Sequence, residues 1–115
     1  MHTIRLRDPW ESELAPGRAI YRRHFNRPTG LTAGDVVRLV VDELPPEATV
    51  NFNGETLARG QGSGVRGHGS EVSDAWDVTA ALQLRNAVVI EVTAEALSEP
   101  RPFGDVRIEI RTPDP

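Results

Sequence analysis

Three sets of residues in this chain of 115 have types and spacings that could do chemistry. The first is "GQGSGVRGHG", residues 60–69, where Gly62, Gly64 and Gly67 fit the spacing G-x-G-x-x-G. A dinucleotide site of that pattern needs a strand before the glycines and a long helix after them. The pyrophosphate then meets free backbone N–H groups at the helix N-terminus. Here the glycines are followed by "SEVSDAWDV", rich in Ser, Asp and β-branched residues and without helical periodicity. The chain contains no Lys, so the phosphate-binding "GK[ST]" is absent too. The stretch reads as a loop or wide hairpin whose glycines serve turns and close backbone approach.

The second set is acidic. Asp74 and Asp77 are near neighbours, as are Glu11 and Glu13. Glycoside hydrolysis uses two carboxyls roughly 5 to 9 Å apart, one of them with a raised pKa. Acids this close on strands and loops read more simply as solvated side chains, and Asp77 is well placed to bond the turn at Thr79. The third set is His2, His24 and His68, too scattered for a metal spacing and unsupported by any cysteine. Ser70, His68 and Asp74 make a triad on paper, without the strained elbow that exposes a nucleophile. No catalytic residue and no metal ligand is assigned, and the chain is expected not to be an enzyme. The residues placed to touch a ligand are Arg59, Arg66, His68 and Trp76, around the glycine loop.

What must hold these residues is almost entirely strand. "GDVRIEIRT" sets Val106, Ile108 and Ile110 against Arg107, Glu109 and Arg111, and "NAVVIEVTA" sets Val88, Ile90 and Val92 against Val89, Glu91 and Thr93. In "GDVVRLVVDEL" the inward set is Val37, Leu39 and Val41; in "EATVNFNGETLA" it is Ala48, Val50 and Phe52. Successive strand side chains point to opposite faces, so each segment buries one face. "TIRLR" and "RAIYRRHF" add strands, and "SEVSDAWDV" a weaker one. Asn53-Gly54 between two runs predicts a type I′ hairpin. Pro45-Pro46 and "EPRPFGD" belong to loops, since proline cannot donate to a ladder. Only "VTAAL", residues 78–82, offers helix, and only one turn of it. The expectation is an all-β antiparallel sandwich or jelly roll of seven to nine strands with at most one short helical turn, in one domain over residues 1–115.

Bulk properties narrow the function. The length suffices for a core without a staple, and 38% hydrophobic with 26% charged residues is a globular balance. A net charge of −4 argues against a nucleic-acid partner, which needs surplus Lys and Arg on one face. The basic cluster Arg18, Arg22, Arg23 and Arg27 reads as a solvated strand face or a set of ion pairs. No window is apolar enough to span a membrane and "MHTIRLRDPW" has no secretory h-region, so no membrane partner and a cytoplasmic location are expected.

Taken in order, "DPWESE", "AIYRRHFNRPTGLTAGDVVRLVVDELPPEATVNFNGETL", the glycine loop and "WDVTAALQLRNAVVIEV" resemble the N-terminal sugar-binding-like domain of family 2 glycoside hydrolases, the β-galactosidase and β-glucuronidase type. Tyr21, Arg23 and Phe25 match its Tyr-x-Arg-x-Phe. Val50, Asn53 and Gly54 match its strand and turn; Asp77, Val78, Thr79, Leu82 and Asn86 match the segment leading to the Val88, Ile90, Val92 strand. The resemblance covers residues 4 to 93 and implies a galactose-binding-domain-like jelly roll. It also allows a structural calcium ion held by oxygen ligands. Two departures stand out: the chain has no room for the hydrolytic barrel, and "HGSEVSDAW" replaces the usual Gly-Gly and Pro-Phe before Asp-Val-Thr.

Sugar recognition combines an aromatic face with a few polar groups, and only Trp10, Trp76 and Phe103 fall off the core phases of the six aromatics. Of these, Trp76 reads as packed against the turn that follows it. The function expected is a non-catalytic, stand-alone β-sandwich module in a structural or protein-interaction role. The alternative is a carbohydrate-binding module. Val36, Val40 and Val89 on nominally outer faces point to a protein partner, a homo-oligomer face, or a sandwich whose outer faces are themselves partly covered.

Overall fold

The computed structural model describes residues 2–58, 64–66, 72–97 and 101–112, with 64–66 and 72 described by backbone alone. Among the described residues ten strands run in chain order: β1 His2–Arg5, β2 Glu11–Ala15, β3 Arg18–Asn26, β4 Val36–Asp42, β5 Thr49–Phe52, β6 Glu55–Leu57, β7 Gly64–Arg66, β8 Val72–Asp77, β9 Arg85–Thr93 and β10 Val106–Arg111. One 3-10 turn, Thr79–Ala81, follows β8 where the single helical turn was expected.

The strands form two five-stranded antiparallel sheets, ordered β1-β10-β4-β8-β7 and β2-β3-β9-β5-β6. The two sheets enclose one apolar cluster, an all-β sandwich. The predicted alternation places that core. Val37, Leu39 and Val41 of β4, Val88, Ile90 and Val92 of β9, and Val106, Ile108 and Ile110 of β10 are all buried. Ala48, Val50, Phe52, Tyr21 and Phe25 join them.

Ten is one more than the upper end of the expected range, and β2 and β7 are the strands that the sequence pattern did not name. β2 reads "ESELA", with four of its five residues exposed, so no buried face wrote an alternation into it. It is a strand because β3 pairs with it from Arg22 opposite Glu11 to Arg18 opposite Ala15. The hairpin between them turns at Pro16-Gly17, where Gly17 takes φ +78. Proline fixes the first central φ and glycine accepts the second, the pattern of a type II turn. β7 arises inside the glycine stretch and pairs antiparallel with β8, Gly64 opposite Asp74. The wide hairpin reading therefore holds for residues 64–66.

The Asn53-Gly54 turn has φ +51 and +89, both positive, as a type I′ turn between β5 and β6 requires. The outer-face valines are covered. Val40 is only 3% exposed although it points away from the core, while Val36 and Val89 are half-buried. Across these faces run Arg18–Glu91 and Arg22–Glu13 in one sheet and Arg107–Glu109 in the other, whose aliphatic stems shield apolar neighbours.

Candidate functional site

β8 carries the residues with the most chemical promise, and its pleat separates them. Trp76 and Asp74 lie on the inner face, 9% and 6% exposed, while Asp77 is exposed. Residues three apart on a strand point to opposite sides, so the two carboxyls diverge and cannot flank one sugar ring. Trp76 packs in the core and its Nε1 donates to the Ala58 carbonyl at 2.7 Å. The indole that was a candidate ligand contact is thus part of the interior, tied to the chain that leaves β6. Arg66 stands opposite Val72 in the β7–β8 ladder. Arg59 and His68 lie outside the described residues.

At the far end of β8 the chain builds a polar junction. The Asp77 carboxylate accepts from the Thr79 N–H at 2.9 Å and the Thr79 hydroxyl at 2.6 Å. These bonds, the hydroxyl first and then the amide, hold the Asp77 carboxyl below its ordinary pKa, helped by the Arg38 charge and opposed by slight desolvation. Thr79 Oγ1 also accepts from the Val37 N–H at 2.8 Å, and the Val78 N–H donates to the Val37 carbonyl at 2.8 Å. The 3-10 turn is thereby fastened to β4.

Asn86 lies beside it, fully buried. Its Oδ1 accepts from Asn53 Nδ2 at 2.9 Å and from the Gln83 N–H at 2.8 Å. Its Nδ2 donates to the carbonyls of Gln83 at 3.0 Å and Phe25 at 3.4 Å. Asn53 Nδ2 also donates to the Ala81 carbonyl at 2.8 Å, and its Oδ1 accepts from the Ala87 N–H at 2.8 Å. The Asn86 amide has both donors and both acceptor positions used within the fold, and Asn53 has both donors used and its Oδ1 engaged, so the pair is committed to the junction.

No family model matches the chain, and no curated protein does. Among solved structures, an FMN-binding β-glucuronidase from Facaelibacterium prausnitzii L2-6 is similar in fold, with a TM-score of 0.64 at 18% sequence identity. The similarity covers 93% of this chain but only 22% of that one. The fold is shared with part of a glycoside hydrolase. Of the positions that carried the resemblance in the sequence, Asn53, Gly54, Asp77, Thr79 and Asn86 serve turns and join strands, while Tyr21, Phe25, Val50, Val78, Val88, Ile90 and Val92 are buried in the core.

Two clusters were not visible in the sequence. On the outer face of the β1-to-β7 sheet, Arg107 reaches Asp42 at 3.0 Å, Glu109 at 3.0 Å and Asp105 at 3.3 Å, and Arg5 reaches Asp105 at 3.1 Å. Burial opposes the Arg107 charge, but the bonds to Glu109 and Asp42 outweigh it and hold the guanidinium above its ordinary pKa. Three carboxylates therefore converge on the half-buried Arg107 guanidinium. Among the described residues no grouping of His, Cys, Asp and Glu suits a metal ion. Beside Arg107 lies a shallow hollow of about 200 Å³, floored by Val40 and Ala75 and edged by Arg38, Ser73 and Glu109.

The second cluster closes the side of the sandwich where residues 6–10 cross from β1 to β2. Phe103 meets Trp10 and Tyr21 edge-on, at centroid distances of 5.3 and 5.5 Å. The Arg101 guanidinium lies 5.4 Å from the Trp10 ring and 5.2 Å from the Phe103 ring, and reaches Asp8 at 2.6 Å. Trp10 Nε1 donates to the Leu6 carbonyl at 3.2 Å. Both off-phase aromatics left after Trp76 thus pack on each other and on an arginine, where a cation over the ring occupies a face a sugar would need. "EPRPFGD" gave a loop, and only contact across the fold showed what its Arg and Phe hold.

Proposed function

We propose that this chain is a non-catalytic β-sandwich module whose role is structural or protein-interacting. The observation that best supports the reading is the divergence of Asp74 and Asp77, the paired aspartates that follow the glycine stretch, onto opposite faces of β8. Glu11 and Glu13 share a face but are engaged at the β2–β3 pairing, Glu13 with Arg22 at 2.9 Å and Glu11 3.8 Å from His24. Hydrolysis needs two carboxyls opposed across one sugar ring. Asp74 and Asp77 point to opposite faces, and Glu11 and Glu13 each lie beside a cationic or imidazole side chain of β3. Assays with chromogenic β-glucuronides and β-galactosides test the reading. No turnover is expected, and turnover lost in both Asp74→Asn and Asp77→Asn would overturn it.

A carbohydrate-binding role is the second reading, favoured by the fold shared with part of a β-glucuronidase. Its contacts would come from Arg59, Arg66 and His68 around the glycine loop, with Trp76 acting from beneath by holding Ala58. A glycan screen with His68→Ala and Trp76→Ala decides it. Saturable binding that His68→Ala removes, with the fold intact, would promote this reading above the first.

A further inference from the structure

We infer that the free edge of β2 is a docking strand for an extended basic segment of another protein. The inference deepens the module reading and rests on it. Three of the sheet edges have described side chains, and each carries one large aliphatic residue: Ile4 on β1, Leu57 on β6 and Leu14 on β2. Ile4 and Leu57 pack against the core. Leu14 does not, and remains 48% exposed in the middle of a sheet edge. Among the described residues, those of β2 make no backbone hydrogen bond except to β3. An unpaired row of N–H and C=O groups beside an uncovered leucine is a template for a sixth strand.

The glutamates decide what that strand carries. Glu11 and Glu13 stand on one face of β2, with side chains 74% and 56% exposed, and Leu14 stands on the other. Each glutamate has a neighbour on β3, Glu13 Oε1 accepting from Arg22 at 2.9 Å and Glu11 lying 3.8 Å from His24, so an incoming cation would complete these pairs from the open side of the edge. Residues directly opposite in a pair share a face, so the incoming strand places Lys or Arg at two alternate positions and an aliphatic residue across from Leu14. A second copy of this chain fits poorly. The antiparallel register overlapping all of β2 sets Glu13 against Glu13, and like charges directly opposite are destabilising.

The probe is the capped peptide Thr-Val-Lys-Thr-Lys-Thr, titrated into the isotope-labelled protein, with a Glu-for-Lys peptide as its counterpart. Saturable amide shifts and slowed hydrogen exchange at residues 11–15 are expected. The Glu11→Lys, Glu13→Lys double variant should weaken binding about tenfold, from two cross-strand pairs each reversed in sign. Leu14→Ser should weaken it about threefold, and Thr56→Lys on the opposite edge should leave it unchanged. Near-UV circular dichroism shows that each variant remains folded.

Equal binding of the Glu peptide, binding untouched by the double variant, no shift at millimolar peptide, or a dimer by light scattering whose concentration-dependent amide shifts map to residues 11–15 would each overturn the inference. Shifts confined to β1 or β6 would also sink it while leaving the module reading intact. Turnover in the hydrolase assay, by contrast, strikes the module reading whatever the peptide does.

Discussion

The Asn86 junction and the Arg107 cluster are both polar, both bridge several strands, and differ in what water can do for them. Asn86 is sealed, and its amide meets four partners from three segments of chain. Arg107 is 21% exposed and shares its acids, since Asp105 also pairs with Arg5. A neutral amide with every bond made costs little to bury, and leaving its partners unmet costs their full desolvation. A charged cluster at the surface can be rewired or hydrated when one member is lost. The sandwich depends on the first kind of polarity and is trimmed by the second.

The sharpest break of that comparison is Asn86→Ala. It strips bonds from the Gln83 N–H, the Gln83 and Phe25 carbonyls and Asn53. The expected loss is about 3 kcal/mol of unfolding free energy, read from urea midpoints. Gly54→Ala comes next, because φ +89 is a conformation L side chains rarely adopt. About 1 to 2 kcal/mol should be lost by the same measurement. Arg107→Met should cost about 1 kcal/mol or less at low salt, and the deficit should shrink in 1 M NaCl. An Arg107 deficit equal to that of Asn86 would erase the distinction.

The smallest effect is in acid. Asp77 and Asp35 both have folded pKa values below the ordinary 3.8. For Asp35 the leading cause is the Thr32 N–H, which donates at 2.9 Å; desolvation opposes it, and the hydroxyls of Thr112 and Thr32 add to it. The unfolded chain binds these protons first, so their contribution is whole above about pH 4 and fades as pH falls through the lower folded values. Urea midpoints between about pH 5 and 2 should drop less steeply in Thr79→Val than in the parent chain, since Asp77 then loses its leading stabiliser.

How much of this was legible follows from what each residue writes locally. β4, β9 and β10 alternate because one face is dry, and their inner sets were readable residue by residue. The Asn-Gly turn was readable because positive φ at two successive positions admits few residue types. β2 was invisible, since a strand without a buried face has no period and exists only by pairing. Trp76 was visible as packed, but its bond to Ala58 joins residues 18 apart in sequence. Arg101 on Trp10 and Arg107 among its acids are likewise contacts between distant segments, and spacing along the chain does not encode them.

The first and last strands are neighbours, with His2 opposite Ile110 and Arg5 opposite Arg107 in an antiparallel ladder. Tension applied through the flanking chain would therefore load the His2–Ile110 pair alone, then Thr3–Glu109, opening a zipper one tooth at a time. A shear geometry would have spread the same force over all four pairs at once. This sandwich should yield at low force at that seam.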